Sequence, residues 1–183
     1  MQLTKEHISL LKQGDSKTQK WVFESLYAKM FRVCLRYLVR TDEAEDCLIK
    51  AFMKAFQQID TFTYEHDHSF VHWLRRMMVN ESLMALRKQQ NLSLASLSGE
   101  VDKESEDDFF AHIAAKDLLE ALLKLPVGYR TVFNLFVVEG FTHQEIAAEL
   151  NISESTSKSQ LFKAKQRLQV LLSQSQYGYG KAK

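Results

Sequence analysis

The sequence is poor in the residues that punctuate β-structure. It has one proline and six glycines among 183 residues, so strands and tight hairpins would have little of the turn chemistry they need. Residues that favour helices, such as Leu, Ala, Lys, Gln and Glu, are common. The composition therefore predicts an all-α protein, long enough for one ordinary domain or two small ones.

Further absences limit the class of protein. No apolar run approaches the roughly 20 residues that cross a bilayer, and the N-terminus has no basic segment followed by an apolar core, so we expect a cytoplasmic protein. Cys34 and Cys47 are too few for a disulfide framework or a thiolate zinc site, which predicts buried free thiols. Because the sequence contains no phosphate-cradling glycine loop, nucleophile elbow or zincin helix, we expect neither an enzyme nor a cofactor.

The charges are unevenly distributed although the net charge is only +1. Residues 1–91 carry 14 basic and 11 acidic groups, residues 92–120 carry 2 and 8, and residues 121–183 carry 8 and 4. Two basic lobes joined by an acidic connector are typical of a protein that touches a polyanion at two places. Ordinary solvated surface charge would give the same distribution, so this pattern alone does not identify the partner.

Apolar residues at helical spacing predict three helices in the first lobe. Asp15 is placed to cap the first helix. Asp42 and Glu45 have the spacing of a capping box before the second, and Ser69 is placed to cap the third.

The segment after the third helix has a different composition. From about residue 89 to residue 108 it is rich in Gln, Asn, Ser, Gly and acidic residues, which predicts a flexible acidic linker. Its isolated leucines, Leu92, Leu94 and Leu97, could dock in a groove on a partner. The predicted boundaries are 1–91 for the first domain, 92–108 for the linker, 109–174 for the second domain and 175–183 for a tail.

The second lobe contains the signals of a helix-turn-helix. Thr142 and Glu145 have capping-box spacing, Asn151 tolerates the left-handed backbone of a sharp turn, and Ser153 can cap the next helix. Hydroxyls and cations in the first turns of that helix could donate to phosphates and base edges in a major groove. The alternative is a helical hairpin with a solvated polar face.

Two sets of residues, in order along the chain, together resemble one family. In the second lobe they are Leu125-Pro126, Arg130, Val132-Phe133, Leu135, Glu139-Gly140, Glu145-Ile146-Ala147, Ile152-Ser153, Thr156, Lys158-Ser159, Leu161, Lys163-Ala164 and Leu168. In the first lobe they are Gly14-Asp15, Leu26-Tyr27, Ala44-Glu45-Asp46, Phe52, Phe70, Trp73-Leu74, Asn80 and Leu86-Arg87-Lys88. The second-lobe set resembles region 4, and the first-lobe set region 2, of the extracytoplasmic-function (ECF) sigma factors of the sigma-70 family.

The resemblance implies a function and partners. Region 4 binds the minus-35 promoter element and the flap of the polymerase β subunit. The helix from Asp42 to Ile59 would meet the clamp helices of β′, and the segment from Asp60 to Lys88 would melt and read the minus-10 element. The expected partners are promoter DNA and core RNA polymerase, an anti-sigma factor would be a third, and no small-molecule substrate is implied.

The residues expected at each interface follow from the resemblance together with the helix faces. For the minus-35 element they are Arg130, Ser155, Thr156, Lys158, Ser159, Phe162 and Lys163. For the minus-10 element they are Phe62, Tyr64, Arg75, Arg76, Asn80, Arg87 and Lys88. For core polymerase they are Glu45, Asp46, Lys50 and Lys54. Phe62 and Tyr64 could instead fasten their loop to the core, and Trp73 is interpreted as a core residue.

Other interpretations compete with this one. His66, Asp67, His68 and His72 form a cluster, but structural zinc generally needs four well-placed ligands, so we expect no metal there. A transcription regulator that acts without polymerase, with an N-terminal half that senses a ligand or dimerises, would explain the helix-turn-helix but not the matches in residues 14–88. A helical enzyme is disfavoured by the missing catalytic motifs.

Overall fold

The structure is a computed structural model that describes residues 3–89 and 115–178. All regular structure in these two ranges is helical, which confirms the predicted fold class. The chain divides into two compact units, Met1–Asn91 and Leu92–Lys183. The predicted linker and its three leucines lie outside the described residues. Within the described ranges, no helix is both long and apolar enough to span a membrane.

The first unit is a bundle of four helices. They are α1 (Lys5–Lys12), α2 (Ser16–Leu38), α3 (Thr41–Gln57) and α4 (Ser69–Gln89), with a 3₁₀ turn at Ile59–Thr61. The helices α2, α3 and α4 pack against one another in pairs, and α1 packs on α2. Burial of large apolar side chains stabilises such a core by about 1.5–3 kcal/mol each. Its fully buried members include Met30, Tyr37, Leu48, Phe52, Phe70, Leu74 and Met78.

The starts of α2 and α4 depend on side-chain oxygens. Asp15 accepts a hydrogen bond from the backbone nitrogen of Thr18 at 2.8 Å, which confirms the predicted cap of α2. Ser69 is itself the first residue of α4. Its hydroxyl donates to the carbonyl of His66 at 2.7 Å, so it stabilises the preceding turn.

The turn between α2 and α3 is very short. Val39 has φ 67° and ψ −49°, and the nitrogen of Arg40 donates to the carbonyl of Leu38 at 2.8 Å, which is a γ-turn. Because α3 therefore begins at Thr41, the predicted cap at Asp42 is wrong, and the Asp42 carboxylate instead accepts from Nη2 of Arg40 at 2.6 Å. A β-branched residue at positive φ costs on the order of 1–3 kcal/mol, so the packing of α2 on α3 holds the turn.

The second unit is built around one long helix. Its helices are α5 (Ala115–Leu123), α6 (Val127–Phe133), α7 (His143–Leu150) and α8 (Glu154–Gly178), and a π-helical turn covers Asn134–Val138. The helices α5, α6 and α7 all pack on α8. Among the residues of this unit that the structure describes, the buried apolar ones are Ala121, Leu122, Leu125, Val132, Phe133, Leu135, Ile146, Leu150, Leu161, Ala164, Leu168 and Leu172.

Two backbone features shape α6 and the segment that follows it. Gly128 lets α6 approach α8, because a Cβ there would lie 3.0 Å from Oε1 of Gln160. The π-helical turn widens the helix after Phe133, a feature that hydrophobic periodicity does not reveal. The segment then stops at Gly140, whose φ of 77° is the left-handed conformation that glycine adopts at helix ends.

Candidate DNA and polymerase interfaces

The helix-turn-helix in the second unit forms as its sequence predicts. Thr142 Oγ1 accepts from the nitrogen of Glu145 at 3.2 Å, and Glu145 Oε2 accepts from the nitrogen of Thr142 at 2.8 Å. Asn151 has φ 53° in the left-handed region. Ser153 Oγ accepts from the nitrogen of Thr156 at 3.0 Å and so caps α8. The two caps and the asparagine turn are therefore confirmed.

A histidine that the sequence analysis did not single out joins the two helices of this motif. The His143 ring stacks on Phe136 with centroids 4.4 Å apart, and its Nδ1 lies 2.8 Å from Oγ of Ser157, which is buried in α8. Burial lowers the pKa of His143 below its usual 6.5; nearby Lys158 adds to this and Glu154 opposes it. The neutral imidazole is therefore the form that fits the folded unit.

We expect acid to destabilise the second unit through His143. Because the folded-state pKa is lower than the unfolded one, the unfolded chain binds more protons as the pH falls. The contribution of the neutral ring is complete above about pH 6.5 and declines as the pH falls from there towards the lower, folded pKa. Thermal unfolding followed by circular dichroism at pH 7.5 and 5.5 measures this loss. A His143→Gln variant should lose less stability over that interval, and equal losses in both proteins would contradict the prediction.

The first turns of α8 present a polar and basic surface. Ser155 and Lys158 are exposed, and the Lys158 side chain is 63% exposed although its Nζ lies 3.9 Å from a carboxylate oxygen of Glu154. Phe162 and Lys163 follow at half-buried positions. An exposed ion pair of this length is weak, so Lys158 can exchange it for a phosphate.

Three of the predicted minus-35 contacts have bonds inside the protein. Thr156 is half-buried against the Ser153 cap, and the hydroxyl of Ser159 donates to the carbonyl of Thr156 at 3.0 Å. Arg130 is only 6% exposed, and its Nη1 donates to the carbonyl of Leu125 at 2.7 Å. Burial lowers the pKa of Arg130 to about 10. This burial contradicts the placement of Arg130 among the DNA contacts, since its guanidinium supports the turn between α5 and α6.

In the first unit, the two aromatic residues predicted in the loop before α4 are buried to different extents. Phe62 is 5% exposed and packs on Phe70 and Trp73 with centroids 5.5 and 5.2 Å apart. Tyr64 is half-buried, and the hydrogen bond that its hydroxyl donates to Asp67 raises its pKa. The structure therefore corrects the interpretation of Phe62 as a residue open to a flipped base: it fastens the loop to the core.

Most of the α4 residues predicted to contact DNA are exposed. Arg75 is half-buried, and the five residues that separate it from Asn80 place the two about 140° apart around the helix axis. Arg75 thus lies on a different side of the helix. Met84, 52% exposed, is an apolar residue on the exposed face that the predicted set did not include. The exposed members of that set are Arg76, Asn80, Arg87 and Lys88.

The four predicted polymerase contacts on α3 differ in their surroundings. Asp46 and Lys50 are exposed. Glu45 is exposed too, and it accepts a hydrogen bond from the Tyr27 hydroxyl at 3.3 Å. Lys54 forms a 2.8 Å ion pair with Glu81 and so ties α3 to α4. Glu45 and Lys54 therefore also hold the unit together, and the outward charges are centred on Asp46 and Lys50.

An exposed apolar pair lies on the same outer face of α3. Ile49 and Met53 are 48% and 57% exposed, one helical turn apart and next to Asp46 and Lys50. Apolar side chains rimmed by charges are typical of a protein-protein interface. Ile49 and Met53 were not among the predicted polymerase contacts, although two apolar residues outside the buried stripe of α3 were a usable signal in the sequence.

The histidines near the start of α4 do not form a metal site in the structure. The rings of His66 and His68 have centroids 6.4 Å apart, and Asp67 accepts the Tyr64 hydrogen bond. Among the side chains that the structure describes, no group of three or more His, Cys, Asp or Glu residues is placed to hold a metal ion.

Comparison with known proteins adds independent findings. The family model described as Sigma-70 region 2 matches residues 22–92, and the one described as Sigma-70, region 4 matches residues 115–168. The chain is 26% identical to the ECF RNA polymerase sigma factor SigW of Bacillus subtilis over 91% of this chain and 95% of SigW. It is 29% identical to the ECF sigma factor SigM of Mycobacterium tuberculosis, over 87% of this chain and 79% of SigM. A solved structure of the sigma factor RpoE with the anti-sigma factor NepR from Bartonella quintana aligns with 84% of this chain and 96% of the RpoE chain, at 24% identity and a TM-score of 0.49.

Proposed function

Because the chain belongs to the extracytoplasmic-function sigma factors of the sigma-70 family, we propose that it directs core RNA polymerase to promoters by binding a minus-35 element with α8 and melting a minus-10 element with α4. One observation carries this proposal: the region 2 and region 4 models fall in order on the two compact units. The role is exercised by binding, without covalent chemistry, in the cytoplasm where polymerase and DNA meet.

The minus-35 readout is assigned to the first turns of α8. Ser155 and Lys158 are exposed there, Phe162 and Lys163 lie beside them, and the Ser153 cap fixes the direction in which the helix starts. Hydroxyls and cations at the start of a recognition helix can reach base edges and phosphates in the major groove. Arg130 is a supporting residue in this proposal and makes no direct DNA contact.

The minus-10 readout is assigned to the exposed face of α4. The cations Arg76, Arg87 and Lys88 and the amide of Asn80 provide phosphate and base contacts along one side of the helix. Tyr64 at the loop is half-buried and could stack on an unpaired base at its exposed edge.

Binding of core polymerase is assigned to the outer face of α3. Asp46 and Lys50 provide charge complementarity to the β′ clamp helices, and Ile49 and Met53 provide apolar area between the charges. The second unit would meet the β flap. An anti-sigma factor, as seen with RpoE of Bartonella quintana, would compete for one of these surfaces.

Transcription with purified components tests the proposal. The full chain, added to core RNA polymerase, should support initiation from a promoter selected from genomic DNA, and neither component should initiate there alone. Promoter binding by the chain alone, unchanged by core polymerase, would support the rival regulator instead. No initiation with core polymerase at any selected promoter would contradict the sigma-factor role.

Lys158→Ala and Lys163→Ala should each weaken binding of the reconstituted holoenzyme to the minus-35 element. Loss of one charge-assisted contact corresponds to roughly a tenfold loss, about 1.4 kcal/mol. If a lysine contacts only phosphate, the loss should be even across promoter sequences and the salt slope should fall by about one. Binding titrations at several salt concentrations measure both quantities.

Lys17→Ala is the matched control for these variants, because it removes the same charge from an exposed site on α2 in the other unit. It should leave the minus-35 affinity unchanged. Affinity for core polymerase should stay within about twofold in all three proteins, since exposed substitutions outside an interface are nearly neutral. Wild-type promoter affinity in both α8 variants would contradict the recognition-helix assignment.

A further inference from the structure

One buried serine interrupts the apolar stripe of α8. Ser157 is 0% exposed and lies on the same side of the helix as the buried residues Leu161, Ala164 and Leu168. A hydroxyl group that leaves water costs free energy unless it forms a hydrogen bond inside the protein. An apolar residue would serve for packing alone, so the serine indicates a contact that needs a polar group.

The partner of Ser157 is His143, the first residue of α7. Its Nδ1 lies 2.8 Å from the Oγ of Ser157, which is a hydrogen-bond distance. The ring is itself held in place, because it stacks on Phe136 of the π-helical turn with centroids 4.4 Å apart and planes inclined by 23°. The start of α7, the π-helical turn and the first turns of α8 therefore meet at one imidazole ring.

This contact lies on the side of α8 opposite its exposed surface. At 100° per residue, Ser155 and Ser157 are about 160° apart around the helix axis. Ser155 and Lys158 are exposed and Phe162 is half-buried, and these are residues that the proposed function assigns to the minus-35 element. His143 can therefore affect that surface through Ser157 only by setting the orientation of the helix.

The hydrogen bond restricts the orientation of α8 more than its apolar contacts do. Hydrophobic contacts are non-directional, whereas a hydrogen bond weakens steeply outside a narrow range of lengths and angles. A rotation of about 10° about the helix axis would move a side-chain atom that is about 5–6 Å from the axis by about 1 Å. This shift is enough to break a hydrogen bond to a base edge, but a long lysine side chain can still follow a phosphate.

We propose that His143 is a positioning residue for minus-35 recognition, which sets the rotation of α8 through Ser157 and so decides whether the exposed side chains of the helix reach base edges or only phosphates. The inference rests on the proposed function, because it concerns the surface assigned there to the minus-35 element. It deepens that function by assigning sequence discrimination to a residue whose contact lies behind the DNA-binding surface. Loss of the contact should weaken specific binding and leave non-specific binding intact.

Binding of the reconstituted holoenzyme to two DNA duplexes tests this assignment. One duplex carries a selected promoter, and the other carries the same promoter with its minus-35 element scrambled. Ser157→Ala removes the hydrogen bond from the side of α8, and His143→Phe removes it while keeping a ring beside Phe136. Each should lower the affinity for the intact promoter about fivefold, a typical net loss for one hydrogen bond. The affinity for the scrambled duplex should stay within about twofold of the wild type, since it depends on phosphate contacts.

Three further variants separate positioning from stability. The double variant should bind no more weakly than the weaker single variant, because both substitutions remove the same bond. His143→Asn places an amide where Nδ1 lies, so it should restore affinity for the intact promoter to within about twofold of the wild type. Ser25→Ala makes the same change as Ser157→Ala at an exposed site on α2, and it should leave both affinities unchanged. Circular dichroism at the assay temperature checks that every variant is folded.

The two duplexes give distinct outcomes. Wild-type discrimination between them in folded Ser157→Ala and His143→Phe proteins would overturn the proposal. An equal loss of affinity for both duplexes would overturn it as well, because it would indicate less binding-competent protein and no change in helix orientation. A wild-type holoenzyme that binds both duplexes equally would contradict the proposed function itself, and this inference with it.

Discussion

Asp46→Arg should remove most of the affinity for core RNA polymerase while leaving the fold intact. Asp46 is exposed on the outer face of α3, beside Ile49 and Lys50. Reversing a charge that faces a complementary partner can cost several kcal/mol, which corresponds to a loss of about 100-fold or more. Competition with labelled wild-type chain for core polymerase measures the affinity, and circular dichroism measures the helicity.

Glu6→Arg provides the matched control for this variant. Glu6 is an exposed acid on α1, so the substitution makes the same change of charge away from the proposed polymerase surface. It should retain wild-type affinity. Ile49→Ala and Met53→Ala should weaken binding less than Asp46→Arg does, because each removes apolar contact without adding repulsion. Wild-type affinity in a well-folded Asp46→Arg protein would exclude the outer face of α3 as the interface.

Arg130→Ala should destabilise the second unit by about 3 kcal/mol, because it leaves a cavity and removes the donor to a buried carbonyl. The residue is 6% exposed, and its Nη1 binds the carbonyl of Leu125 at 2.7 Å. The stability of Arg130→Lys should lie between those of the wild type and Arg130→Ala, because the lysine ammonium group lacks the forked set of donors of the guanidinium. Loss of minus-35 binding in Arg130→Ala would then follow from unfolding.

The two tryptophans allow this effect to be assigned to one unit. Trp21 and Trp73 are the only tryptophans of the chain, and both lie in the first unit. In Arg130→Ala, the unfolding transition seen by far-ultraviolet circular dichroism should shift to lower urea, while the tryptophan fluorescence transition stays in place. Arg167→Ala, an exposed arginine on α8, should change stability by less than about 0.5 kcal/mol. An Arg130→Ala protein as stable as Arg167→Ala would show that the buried guanidinium is not a structural element.

The helical architecture could be predicted because its signals are local. Thr142, Glu145, Asn151 and Ser153 each act on backbone groups within a few residues, and the bonds form as their spacing predicts. The start of α3 could not be predicted in this way. Its position depends on the γ-turn at Val39, and no β-branched residue signals a positive φ.

In the candidate interfaces, the sequence could predict exposure only for residues whose exposure is set by the face of the helix on which they lie. The outward positions of Asn80, Lys158 and Asp46 follow from periodicity. The burial of Arg130 and Phe62 does not follow from periodicity. The guanidinium of Arg130 turns back to a carbonyl in the non-helical turn between α5 and α6, and Phe62 lies in a loop and is covered by rings on α4.

Because of the γ-turn at Val39, the position of the polymerase surface on α3 depends on the number of residues between α2 and α3. A connection this short cannot change its conformation to accommodate an inserted or deleted residue. Such a change would instead rotate α3 by about 100° about its axis. Asp46 and Ile49 would then leave the outer face, and Phe52 would leave the core. Relatives that share this interface are consequently free to vary in residue identity between Leu38 and Thr41, but an insertion or deletion there would have to be compensated elsewhere in the hairpin.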